Sequence, residues 1–391
     1  LTHRPMGPLA TGPQPNIKHT NLEYLLHDRR AVWGESDHGT ALGKTIKTAA
    51  TGHDPASARL AFATTKILAD DARTNFTVKD GKVAVGDKSP FGYLKDGHLG
   101  DAIARPHHYD ELSGLRPAMA EVLVAHLDRL HDIVRLSKLD ERPGSTGMTG
   151  EDLDYLLLDV TRNASAYETL LMGQVAHARL AVDRTIAGHG DLTNTVKGEG
   201  HMFGHLLEAR HQSVGAEEAR LAEDLDRMRK YVGYGIGLIP VGTDLIAQRS
   251  PVGGEVYSQA SAEAANVLTN WFVRRLADKA EPTIFAPKTE TEGVERLFNQ
   301  MIASSLVTHG RLTGKDLAGK PFATEGHDPK LLPIGSLDGR ALEGFLRWAN
   351  DRLKIDNFSD DVETSVGNGQ KTTAGHYRSV DGKTVTPSGR R

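Results

Sequence analysis

Apolar residues recur at three- and four-residue spacing along most of this chain, and that period predicts helices. Asn21–Arg30 carries Leu22, Leu25 and Leu26 on one face, with Thr20 or Asn21 as its cap. A Gly/Asp/His loop over Gly34–Gly39 leads to a second helix at Ala41–Ala50. Asp54 before Pro55 starts a third, which runs through Ala72 with Leu60, Ala61, Ile67 and Leu68 on its apolar face. Leu112–Leu136 has the clearest stripe: Met119, Val122, Leu123, Leu127, Leu130 and Val134. The Gly/Pro-rich stretch Arg142–Gly150 breaks the pattern, and Thr149 then caps a helix with acidic first-turn residues Glu151 and Asp152. Helical periods follow at Asp152–Ala187, Gly198–Arg210, Ala216–Ile239, Ser258–Lys279, Thr291–Val307 and Leu342–Leu353.

One segment changes period. Phe76–Val85 alternates around Asp80-Gly81, a favoured two-residue hairpin turn. The expected architecture is therefore all-α: an elongated multi-helix array with one small β-hairpin near residues 76–85. The domain reading is a flexible arm over 1–16, a helical domain with the hairpin over 17–141, a second helical domain over 149–355 and a polar tail over 356–391. The tail is rich in Gly, Ser and Thr, shows no apolar period, and is expected to be loosely held. No fixed-length repeat points to a solenoid.

Composition narrows the function. A formal net charge of −4 gives no electrostatic reason to expect nucleic acid as a partner. With no cysteine, thiolate catalysis, thiolate metal ligation and disulfides are excluded. Leu1 in place of an initiator Met leads us to expect a processed product or a piece of a longer chain.

Two segments carry candidate chemistry. His201 and His205 lie four residues apart, so their rings share one helix face, the spacing of a metal-binding helix. A hydrolytic zinc helix wants Glu after the first His, where Met202 stands, and Glu199 or Glu208 could serve only by a different geometry. The second segment is Met228–Ile246, which leaves a charged helix and carries no charge from Tyr231 to Thr243. Gly233, Gly235 and Gly237 allow close helix approach, Leu238 and Ile239 are apolar, and Pro240 forces a break or kink. A buried interhelical turn fits it, with membrane contact as the alternative; Asp244 would be costly in hydrocarbon.

Other motifs point away from an enzyme. Gly233-x-Gly235-x-Gly237 lacks the lysine of a nucleotide loop, and there is no Gly-x-Ser-x-Gly elbow. His107-His108 reads as a helix boundary with Asp110 as its cap, and Asp152, Asp154 and Asp159 read as a solvated face. No catalytic residue and no cofactor is assigned.

Five stretches, in order, resemble a family of large actinobacterial proteins associated with WXG-motif helical hairpins and type VII secretion. They are NLEYLLHDRR (Asn21–Arg30), ALGK (Ala41–Lys44), AATGHD (Ala49–Asp54), SGLRPAMAEV (Ser113–Val122) and GIGLIPVGTDLI (Gly235–Ile246). The similarity spans roughly residues 20–275. It implies an extended all-α protein, with a WXG-like hairpin upstream of Leu1 and no established catalytic residues. The polar C-terminus departs from it, since no recognisable toxin domain follows. The reading is thus a non-enzymatic scaffold, carrier or delivery module, secreted or in the cell envelope, that binds protein partners. Oligomeric assembly stays open. The alternatives are a membrane-active toxin that inserts 232–246 and a metal-dependent hydrolase using His201 and His205.

Overall fold

The structure, a computed structural model, describes residues 20–34, 36–79, 82–85, 111–135, 147–214, 287–311, 314–327, 329, 332, 337, 339–353 and 356–377. It is an all-α architecture, and the described chain divides into two compact units. The first takes residues 20–170, 208–214 and 372–377; the second takes 171–207 and 287–371.

In the first unit, a capping box between Thr20 and Glu23 starts α1 (Asn21–Glu23). A π-helical turn over Tyr24–Asp28 follows, and α2 is Arg30–Gly34. The Trp33 indole donates to the Leu25 carbonyl (2.8 Å), satisfying an oxygen within the widened turn. Gly39 (φ +79°) precedes α3 (Thr40–Ala50), where an added Cβ would run into Leu115. Asp54 receives the Ala56 and Ser57 amides (2.9 and 3.1 Å) and starts α4 (Pro55–Asn75).

Strands β1 (Phe76–Lys79) and β2 (Lys82–Val85) pair antiparallel, Phe76 opposite Val85 and Val78 opposite Val83. Asp80 and Gly81 lie outside the described residues. Phe76 and Val83 are buried against Ala72, Tyr155, Leu158, Ala374 and Tyr377, with Val78 partly covered. Alternation thus turns one face of this pair to the helices.

Two helices expected to be continuous are interrupted. The Leu112–Leu136 stripe becomes a 3-10 turn (Ser113–Leu115), α5 (Arg116–Ala125) and α6 (Leu127–Arg135). At the break, the buried His126 ring donates from Nε2 to the Ala50 carbonyl at the end of α3 (2.7 Å). Asp152–Ala187 becomes α7 (Gly150–Val160) and α8 (Ala164–Ala187). Asn163 receives the Ala166 amide and the Ser165 hydroxyl and so caps α8, while Arg210 donates to the Thr161 carbonyl. Periodicity continued across both breaks because the flanking apolar residues stay buried.

In the second unit, residues 171–187 of α8 turn through Gly188–Gly190 into α9 (Leu192–Val214), of which 192–207 belong here. His189 sits in the left-handed region (φ 56°), and Asp191 receives the Asn194 amide as a cap. Helix α10 is Pro287–Thr308, α11 is Gly314–Leu317 and α12 is Gly339–Leu353. Phe203 meets Phe298 edge-on (5.9 Å), and Asp183 on α8 bonds Ser305 (2.7 Å) and His309 (3.0 Å). Helix α12 brings Phe345 and Trp348 against Phe322 (5.4 and 5.2 Å).

The loosely held tail expected over 356–391 is corrected for residues 356–377, while 378–391 lie outside the described residues. Residues Asp356–His376 form α13, with Val362, Val366, Ala374 and the following Tyr377 buried. Between Val362, Val366 and Tyr377 its packing surface is made of small or polar residues, among them Ser365, Gln370 and Thr373, which dilute the hydropathy contrast. Gly369 lies against the α9 backbone so closely that a Cβ would stand 2.2 Å from the His201 carbonyl oxygen. Residues 356–371 belong to the second unit and 372–377 to the first.

Candidate functional site

His201 and His205 do share a face of α9, with ring centroids 4.9 Å apart and edge-on to each other. His205 is buried and His201 half-buried. Among the described residues, no set of three His, Asp or Glu side chains with converging ligand atoms includes either one. The neighbouring acids are engaged elsewhere. Buried Glu199 receives the Gln174 amide (2.8 Å) and His177 Nδ1 (3.0 Å) from α8, and buried Glu208 receives the Gln212 amide (2.7 Å).

Gly233, Gly235, Gly237, Leu238, Ile239 and Pro240, like His107, His108 and Asp110, lie outside the described residues. Among the described residues no helix is long and apolar enough to cross a membrane.

The acidic residues of α7 are a correction. Asp152, Asp154 and Asp159, read from sequence as a solvated face, are all buried. Helix α7 packs against α4, α5 and α6, so a carboxylate on almost any of its faces enters the interior. A signal was present in LDYLLLDV, where Leu and Tyr leave no polar side for the acids to share.

Each acid takes partners suited to its place. Asp152, in a capping box with Thr149, accepts the Thr149 amide on Oδ2 (2.9 Å) and Lys66 and Arg73 from α4 on Oδ1. Burial pushes its carboxyl up, but the Thr149 amide, Arg73 and Lys66 outweigh burial and hold it below the usual carboxylate range. Asp159 accepts Arg116 (2.8 Å), with Arg162 at 3.6 Å. Burial again opposes ionisation, and the Arg116 and Arg162 charges overcome it, so this carboxyl is also lowered.

Asp154 lies deepest. Oδ1 accepts the Thr373 hydroxyl (3.1 Å), Oδ2 bonds His376 Nδ1, and the backbone carbonyl accepts the Tyr377 hydroxyl (2.9 Å). Burial drives the Tyr377 phenol well above its ordinary value, and the charges of Asp154 and Glu208 push it further. The phenol therefore stays protonated and donates. Tyr377 also meets Tyr155 edge-on (5.5 Å). A carboxylate that orients an imidazole is a unit of acid–base catalysis, but here the same carboxylate also holds Thr373. The group fastens the end of α13 to α7.

These shifts fix a pH dependence. A depressed folded pKa stabilises fully above the unfolded value, about 3.9 for Asp, and the contribution is lost as pH falls through the folded value. Asp71, beside Arg30 (3.1 Å), runs the other way, because burial raises its carboxyl. The expected result is that Asp152→Asn melts below the parent at pH 6 and that the gap closes as pH drops towards 2. Thermal melts of both proteins across that range check it, and a constant gap contradicts it.

Comparison with protein-family models, with curated proteins and with solved structures returned no match.

Proposed function

We propose that this chain is a non-enzymatic helical scaffold, carrier or delivery module of an actinobacterial secretion-associated system, acting on protein partners outside the cytosol. The observation that carries the non-enzymatic part is the use made of the acids on α7. All three form fastenings between helices of one unit: Asp152 to α4, Asp154 to α13 and Asp159 to α5. Polar groups committed to internal bonds suit a frame whose task is to hold its outer surfaces in place. The secretion part rests on the five ordered stretches from Asn21 to Ile246.

The test is fractionation of an actinobacterial host expressing the tagged chain, followed by in-cell crosslinking. Recovery in the culture filtrate or envelope, crosslinked to a discrete protein, supports the proposal. Retention in the cytosol without a crosslinked partner overturns it.

A further inference from the structure

The second unit contains a group of potential ligands that the His201/His205 spacing does not predict. On α8, Gln174 and His177 are three residues apart and project from the same face. Both reach one oxygen on α9: Glu199 Oε2 lies 2.8 Å from Gln174 Nε2 and 3.0 Å from His177 Nδ1. Gln174 is fully buried and Glu199 is 5% exposed, so a carboxylate charge here is removed from water.

We propose that Gln174, His177 and Glu199 form a binding site for a divalent transition-metal cation, bridging α8 and α9 within this unit. Donor atoms about 2.1 Å from a metal, at right angles to each other, are about 3.0 Å apart; around a tetrahedral ion they are about 3.4 Å apart. The observed separations of 2.8 and 3.0 Å fit the six-coordinate edge. The amide of Gln174 presents oxygen in place of nitrogen after a half-turn of its terminal torsion, so it supplies a ligand at the same position. The donor set is then one imidazole nitrogen, one carboxylate oxygen and one amide oxygen. Mn²⁺, Co²⁺ or Ni²⁺ suits such a mixed nitrogen–oxygen set. On binding, the cation takes the place of the hydrogen between His177 Nδ1 and Glu199, and that proton passes to Nε2 of the neutral ring or leaves to solvent. The site does not depend on the partner-binding reading.

The experiment titrates the chelator-treated full chain with MnCl2 and with CoCl2 by calorimetry, and follows its melting temperature. The expected result is uptake of one equivalent and a rise in melting temperature. Glu199→Gln and His177→Ala should each weaken binding at least tenfold, while His205→Ala binds as the parent does. Glu199→Gln has the same shape and keeps an oxygen for the Gln174 amide, so it separates loss of the ligand from loss of the fold. Absence of saturable uptake overturns the site. So does unaltered binding by Glu199→Gln and His177→Ala, or loss of binding in His205→Ala.

Discussion

Replacing Asp154 by Ala should destabilise the first unit by about 1–3 kcal/mol, the cost of leaving a buried donor without its acceptor. The substitution deletes the carboxylate that accepts from buried Thr373 and bonds half-buried His376. Asp154→Asn keeps an oxygen for Thr373 and nearly the same volume, so its loss should be smaller. Chemical denaturation followed by circular dichroism gives both values. An Ala variant as stable as the parent would show that the end of α13 is not fastened at this point.

The second large effect is expected at Gly204, where Ala should cost about 1–3 kcal/mol. A Cβ there would stand 2.2 Å from the Val366 carbonyl oxygen and 2.8 Å from the Gly369 Cα. Both obstacles are backbone, so relief requires α9 and α13 to move apart. Gly198→Ala, six residues earlier on α9, should do the opposite. Its added Cβ meets nothing within 4 Å, and Ala is the better helix former by about 1 kcal/mol. Melting the two variants beside the parent gives opposite shifts. Shifts of the same sign would mean that helix propensity, not the α9–α13 approach, governs both positions.

That contrast shows where sequence reasoning stops. Gly198 and Gly204 look alike along the chain, and only the neighbouring helix separates them. Helices with a broad apolar stripe, such as α4 and the α5–α6 pair, are legible because hydropathy contrast follows the helical period. Helix α13 is not, because Ser365, Gly369 and Thr373 meet their neighbours without large apolar groups. The break at Asn163 had a local sign in the cap residue followed by Ser165, but the apolar residues on both sides masked it.

The candidate sites divide in the same way. The His201–His205 spacing is local and was therefore readable, yet its meaning depended on what else reached that face. Gln174 and His177 become ligands only because the turn at Gly188–Gly190 folds Glu199 back onto α8. No spacing rule joins residues 22 positions apart across a helical hairpin. The α7 acids are misread for a different reason: charge usually marks a solvated face, but nearly every neighbouring position in this helix is apolar.

Helix α7 is covered along nearly its whole length, with only Glu151 outside the buried set. Most helices can fray or detach through a wetted side, at a cost well below that of unfolding the domain. Here no side is wetted, and release of α7 would strip Asp152, Asp154 and Asp159 of their partners in one event. Local opening is therefore closed to this helix, and its exposure coincides with collapse of the unit around it.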